Sequence, residues 1–176
     1  AEKSYKKYIE KYKRLGVDDD TAEAEAYADV VREFEQGFQG WEYKFNTVAS
    51  SRGDYPFITV TAGTGTGRFA KLATISMLNV RRRGQGKKEC KKPVLFPKIV
   101  FLYDENLHGP GKPLEDVFEA GVACSAKTMY PDWLSLTGKG YVASIYKQYG
   151  KIISPMGCRA FLSPWYERGG MHPADD

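Results

Sequence analysis

The stretch "SPMGCRAFLSPWYERGG", residues 154–170, holds one cysteine, Cys158, between Gly157 and Arg159. Pro155 and Pro164 stand on either side of it, and Phe161, Leu162, Trp165 and Tyr166 follow. Glycine before the cysteine and proline on both sides suit a sharply bent loop better than a helix or a central strand. The aromatic residues imply that the loop is packed. A thiol held there is a reactive group, a metal ligand or a small buried hydrophobe, and residue types alone leave the three open.

Other stretches offer weaker chemistry. "GTGTGRF", 63–69, places glycines where a strand would turn into a helix. Backbone N–H groups at a helix start attract anions, yet the spacing is neither GxxxxGK[ST] nor GxGxxG. A plain strand-to-helix turn is the better reading, and a phosphate contact is the other. "RRRGQGKKECKK", 81–92, carries seven basic residues and one acid. No aromatic residue interleaves it, so a solvated loop after a helix C-terminus is favoured over a nucleotide or partner contact. In "SSRGD", 50–54, Ser51 and Arg52 either bind an anion at a strand end or decorate a loop. His108 and His172 fall in loops without a nearby ligand partner, and there is no HExxH and no Ser/His/Asp set. Cys90, Cys124 and Cys158 are far apart, which argues against a disulfide scaffold and a CxxC zinc knuckle.

The bulk numbers narrow the class. The chain has 176 residues, 42% of them hydrophobic and 14% aromatic, enough for one globular core. A net charge of +4 suits an anionic small molecule and gives no reason to invoke nucleic acid. No apolar run approaches a membrane span, and the N-terminus lacks a signal-peptide apolar core. A cytoplasmic protein with free thiols is expected.

These groups need elements to position them. Tyr5, Tyr8, Ile9, Tyr12 and Leu15 mark one face of a helix over 3–15 that Gly16 ends. Asp18 to Thr21 cap a long second helix, with Tyr27, Val30, Val31, Phe34, Phe38, Trp41 and Phe45 on one stripe. Residues 57–62 read as a strand, 68–80 as a helix, and "PVLFPKIVFLYD", 93–104, as a strand covered on both faces. After the loop "HGPGKP", Pro113 opens a helix carrying Leu114, Val117, Phe118, Val122 and Met129, which "YPDW" at 130–133 ends. A short apolar piece, 141–146, and a strand over 151–154 lead into the cysteine loop. Residues 1–50 are thus a helical lead-in and 51–153 strand–helix units, within a single segment, 1–176. The fold class is α/β with largely parallel strands. Three such strands make a small domain or about one half of a larger barrel.

The cysteine loop, with "KII" before it, resembles the active-site finger loop of the anaerobic, class III ribonucleoside-triphosphate reductases. "FPKIVFLYDENLHGPGKPLEDVFEAGVACSAKTMYPDWLSLTG" and "FEQGFQGWEYKFNTVASSRGDYPF" resemble the same family's central region. The resemblance implies a fragment of a ten-stranded α/β barrel, with the loop of 154–170 threaded through its centre. It implies that Cys158 becomes a thiyl radical, oxidised by a glycyl radical, and takes the 3′ hydrogen of a ribonucleotide. Ser51, Arg52 and Arg159 are the substrate-binding candidates. The glycyl radical and a structural zinc would belong to a C-terminal part beyond this chain, with formate as the reductant. Cys90 and Cys124 do not match the family's zinc ligands by spacing. Implied partners are a ribonucleoside triphosphate, the remaining portions of the reductase, a radical-SAM iron–sulfur activating enzyme and a second copy of the complete enzyme. Two other readings are a non-catalytic nucleotide- or partner-binding module derived from the barrel, and a different glycyl-radical enzyme, which the GCR loop disfavours.

Overall fold

A computed structural model describes residues 1–47 and 58–150. Two antiparallel-spaced helical segments lead: α1 spans Glu2–Arg14 and α2 spans Asp19–Thr47. Gly16, at φ +78°, makes the turn between them. Asp18 accepts the Thr21 N–H at 3.0 Å, which satisfies one free donor at the start of α2. Tyr12 donates its hydroxyl to Asp29 at 2.8 Å, and Lys11 and Arg32 also pair with Asp29. That carboxylate joins α1 to α2. Leu15, expected on the inward face, is exposed, because α1 ends one residue before it.

The sheet has three parallel strands in the order β1-β2-β3. β1 is Thr59–Ala62, β2 is Lys98–Tyr103 and β3 is Asp132–Ser135. Val60 lies beside Ile99, and Phe101 beside Trp133. Helix α3, Arg68–Arg83, connects β1 to β2; the short α4, Glu105–His108, and α5, Glu115–Thr128, connect β2 to β3. α3 packs on α5 and α2 packs on α3, so the helical layers stack outward from one face of the sheet. α6, Tyr141–Tyr149, covers the other face.

The period of two along β2 explains both cores. Phe101 faces Leu78, Leu114, Val117 and Cys124 on the α3/α5 side, while Val100 and Leu102 meet Leu136, Val142 and Tyr146 on the α6 side. Each such fully buried apolar side chain contributes about 1.5–3 kcal/mol. Gly121 lets α5 come close: a methyl group there would lie 2.9 Å from the Trp133 ring and 3.3 Å from that of Phe101.

Several expectations need correction. The second strand occupies only the end of the 93–104 run; before it, the Phe96–Pro97 peptide is cis, and Asn46 at the end of α2 holds this stretch through the Leu95 and Phe96 N–H groups and the Phe96 carbonyl. The "YPDW" residues do end α5, but Asp132 and Trp133 open β3. Residues 141–146 belong to a helix. Of the apolar residues expected on this helix, Val122 and Met129 are exposed, and Met129 is the left-handed C-cap of α5 rather than part of it. The strand expected over 151–154 lies outside the described residues.

Candidate functional site

In a parallel α/β sheet the carboxyl ends of the strands form the edge where ligands bind. Three stretches meet that edge here. Gly63–Gly67 links β1 to α3, Asp104–Leu114 follows β2, and Leu136–Gly140 links β3 to α6. Gly63 has φ +127°, and a side chain there would meet the Leu102 carbonyl oxygen at 2.8 Å. Only glycine fits this crossing. Gly65 is similarly close to Ala70, whose Cβ would be 2.7 Å from an added methyl group.

His108 ties the first two stretches together. It is 1% exposed. Its Nε2 lies 2.8 Å from the Gly63 carbonyl oxygen, and its Nδ1 lies 2.9 Å from the Asp104 carbonyl oxygen and 3.1 Å from the Asp104 nitrogen. With the proton on Nε2, that nitrogen donates to Gly63 and Nδ1 accepts the Asp104 N–H. The ring packs near Phe101 and Tyr103, with centroids 5.2 and 5.6 Å away. Asp104 in turn accepts hydrogen bonds from the backbone N–H and the side chain of Asn106, capping α4. His108, expected in a loop without a nearby ligand partner, is the last residue of α4, and its partners are backbone atoms. The missed signal was "FLYDENLH": a histidine four residues after an aspartate at a strand end can fold back on the strand.

The start of α3 faces a cleft of about 750 Å³ lined by Tyr5, Lys6, Gly67, Arg68 and Phe69, with Glu2 at its side. Arg68 lies over the Tyr27 ring at 4.4 Å and the Tyr5 ring at 4.9 Å, and reaches the Tyr5 hydroxyl at 3.4 Å. The Tyr5 hydroxyl raises the guanidinium above its ordinary pKa, and the two rings hold its charge in place. No side chain caps α3, and its first turn carries no acid.

The basic run is only partly solvated. Arg81 is fully buried: its Nε donates to Glu42 at 2.6 Å and its Nη2 to the Pro97 carbonyl at 2.8 Å. Its guanidinium lies 5.0 Å from the centre of the Tyr130 ring. Glu42 itself is 1% exposed. This pair locks α2 to α3. The remainder of the run loops out, closed by an antiparallel bridge between Gln85 and Lys92, and leaves Lys87, Lys88, Cys90 and Lys91 exposed. Cys124 is buried, and burial pushes its thiol pKa up, as expected of a packing cysteine.

Cys158, Arg159, Ser51, Arg52 and His172 lie outside the described residues. Among the described residues no group of three His, Cys, Asp or Glu side chains could hold a metal ion. No helix among them is long and apolar enough to cross a membrane.

A small parallel sheet with helices on both faces and glycine-rich turns at its carboxyl edge defines a mixed α/β segment. The sequence matches the anaerobic ribonucleoside-triphosphate reductases over residues 4–173, and the chain belongs to that family. It is 34% identical to the anaerobic ribonucleoside-triphosphate reductase of Escherichia coli over 91% of this chain and 22% of that protein. The Haemophilus influenzae enzyme of the same name is 36% identical over 94% of the chain and 22% of its own length. That of phage T4 is 32% identical over 97% and 27%. The chain thus spans about a fifth to a quarter of these relatives.

Proposed function

We propose that this chain is the central catalytic-barrel segment of an anaerobic ribonucleotide reductase and that it supplies the finger-loop cysteine, Cys158. The observation that carries this reading is that the family match runs through residues 154–170 and so includes "MGCRAF". The three parallel strands then belong to about one half of a ten-stranded barrel, and their carboxyl edge faces the ribonucleoside triphosphate.

In this reading a glycyl radical elsewhere in the complete enzyme, made by a radical-SAM iron–sulfur activating enzyme, supplies the oxidising equivalent. Cys158 gives up its thiol hydrogen and, as a thiyl, takes the 3′ hydrogen of the ribose. The 2′ hydroxyl leaves, and formate supplies the reducing equivalents. Sulfur suits this role because its bond to hydrogen is weak enough for reversible transfer to and from a ribose carbon. Ser51, Arg52 and Arg159 hold the substrate, and the protein positions the reacting atoms and excludes competitors. The structural zinc belongs to the rest of the enzyme. The complete enzyme is a cytoplasmic homodimer.

The test is Cys158→Ser in the complete, activated enzyme. Serine fills nearly the same space, so folding and nucleotide binding are retained. Its O–H bond is too strong to be broken by the glycyl radical. A normal glycyl signal by electron paramagnetic resonance with no deoxynucleotide is expected. Appreciable product from this variant would remove Cys158 from the mechanism.

A further inference from the structure

His108 has both ring nitrogens spent on backbone atoms at the carboxyl ends of two neighbouring strands. Nε2 lies 2.8 Å from the Gly63 carbonyl oxygen at the end of β1, and Nδ1 lies 2.9 Å from the carbonyl oxygen and 3.1 Å from the nitrogen of Asp104 just after β2. A polar ring in an apolar core is costly unless its hydrogen bonds are made, and a proton on Nε2 makes the bond to Gly63. Gly63 cannot choose another path, because its φ of +127° and the 2.8 Å approach to the Leu102 oxygen admit no side chain. The glycine therefore permits the crossing, and His108 fixes the direction of its carbonyl. The turn then runs on to the Gly67 N-cap of α3.

Packing alone does not require this. The α3/α5 core already holds Phe101 with Leu78, Leu114 and Val117, and an apolar ring in place of His108 would fill the same space between Phe101 and Tyr103. What only a histidine-like group supplies is the link to Gly63. The linked turn lies at the edge where parallel sheets take up ligands, and its three glycines allow a bound molecule to approach the backbone closely.

We propose that His108 is a positioning residue for the nucleotide. It holds Gly63, and through it the 63–67 turn, in the contour against which a ribonucleoside triphosphate lies. This rests on the reductase reading and adds to it a substrate-facing turn and the residue that sets it.

The experiment uses the complete reductase that contains this chain. His108→Phe keeps the ring and removes both nitrogens; His108→Gln keeps a donor. Losing one buried hydrogen bond corresponds to about a tenfold change. For His108→Phe, KM for the ribonucleoside triphosphate should rise about tenfold while kcat stays within about twofold. His108→Gln should recover most of that loss. If His108→Phe does not fold, His108→Asn decides, since its shorter amide cannot reach Gly63 and should give the same rise in KM. An unchanged KM in the folded variant, with only a lower melting temperature, overturns the proposal. Amide hydrogen exchange separates it from the parent reading. Adding ribonucleoside triphosphate to the unaltered enzyme should slow exchange in the 63–67 peptide, and His108→Phe should weaken that protection. No protection in the unaltered enzyme overturns the proposal even where reduction is observed. Protection without reduction supports it while the reductase reading fails.

Discussion

Glu42 and Arg81 meet where neither side chain has access to water, and each depends on the other. Arg81 also spends Nη2 on the Pro97 carbonyl, its Nη1 makes no hydrogen bond, and its guanidinium lies 5.0 Å from the centre of the Tyr130 ring. Taking two charges out of water costs several kcal/mol, which their attraction and hydrogen bonds offset. Removing one partner leaves the other charge buried. Glu42→Ala should therefore lower the unfolding free energy by about 3–5 kcal/mol. Replacing both, as Glu42→Leu with Arg81→Met, should cost much less. Urea titrations of the three proteins measure this, and equal losses for the single and double variants would show that the pair is not the cause. Sequence reading assigned Arg81 to a solvated loop because it opens a run of seven basic residues. The helical period held the contrary signal. Thr74, Met77, Leu78 and Arg81 share one face of α3, and the first three are buried. Charge density drew attention away from the periodicity. His108 was missed for a related reason: its partners are backbone atoms, which carry no sequence signature.

At the scale of elements, the contact between α5 and the sheet is set by the lack of a side chain at position 121. Gly121→Ala would gain about 1 kcal/mol of helix propensity. The added methyl must displace the Trp133 ring at 2.9 Å and the buried Phe101 ring at 3.3 Å. Trp133 is held by its hydrogen bond to Ser125 and by Phe118, so it cannot simply swing away. Overpacking of this kind costs about 1–3 kcal/mol, and a net loss of stability is expected. A higher melting temperature for Gly121→Ala would contradict the packing argument. The α1–α2 contact carries a pH dependence of its own. The Arg32 hydrogen bond, aided by that of Tyr12, holds the Asp29 carboxyl below its ordinary pKa. The resulting stabilisation is complete above the ordinary aspartate value of about 4 and disappears as pH falls through the lowered folded value. Acid unfolding of the chain should thus lose part of its slope in Asp29→Asn; identical acid limbs would rule this out. The four longest helices, β1 and β2 were legible from periodicity and β-branched runs. β3 was not, because Asp132–Ser135 has four residues and no β-branched one, and its burial comes from pairing with β2. α6 was read as a mere apolar piece, since nine residues give only two turns of pattern.

The described residues carry more apolar surface than their own helices and strands cover. The long stripe on α2 was expected to face a core. Instead Phe34, Phe38, Trp41 and Phe45 stack against one another along the helix, with centroids 5.1–6.1 Å apart, and remain half-buried. An apolar cleft of about 380 Å³ opens beside Phe34, Phe38 and Trp41. Tyr43, Leu95 and Met129 add exposed apolar side chains, at 61%, 64% and 90%. Among the described residues, β1 and β3 each have a strand on one side only. Parallel strands are normally paired at both edges and covered on both faces, and exposed edges promote association with other chains. In the complete barrel proposed above, neighbouring strands and helices would cover these surfaces. The isolated 176-residue chain should therefore self-associate at roughly 10–100 µM, where exposed apolar surface and unpaired edges drive aggregation. It should also form no deoxynucleotide, even with an activating enzyme present, because the radical-bearing glycine is proposed to lie in another part of the enzyme. Multi-angle light scattering across that concentration range checks the first expectation, and a nucleotide-reduction assay the second. Substituting Phe38 and Trp41 with serine should shift the association to higher concentration if the α2 stripe takes part. A stable, monodisperse monomer of the unaltered chain would mean that its surfaces are already satisfied, and the partial-barrel architecture would have to be given up.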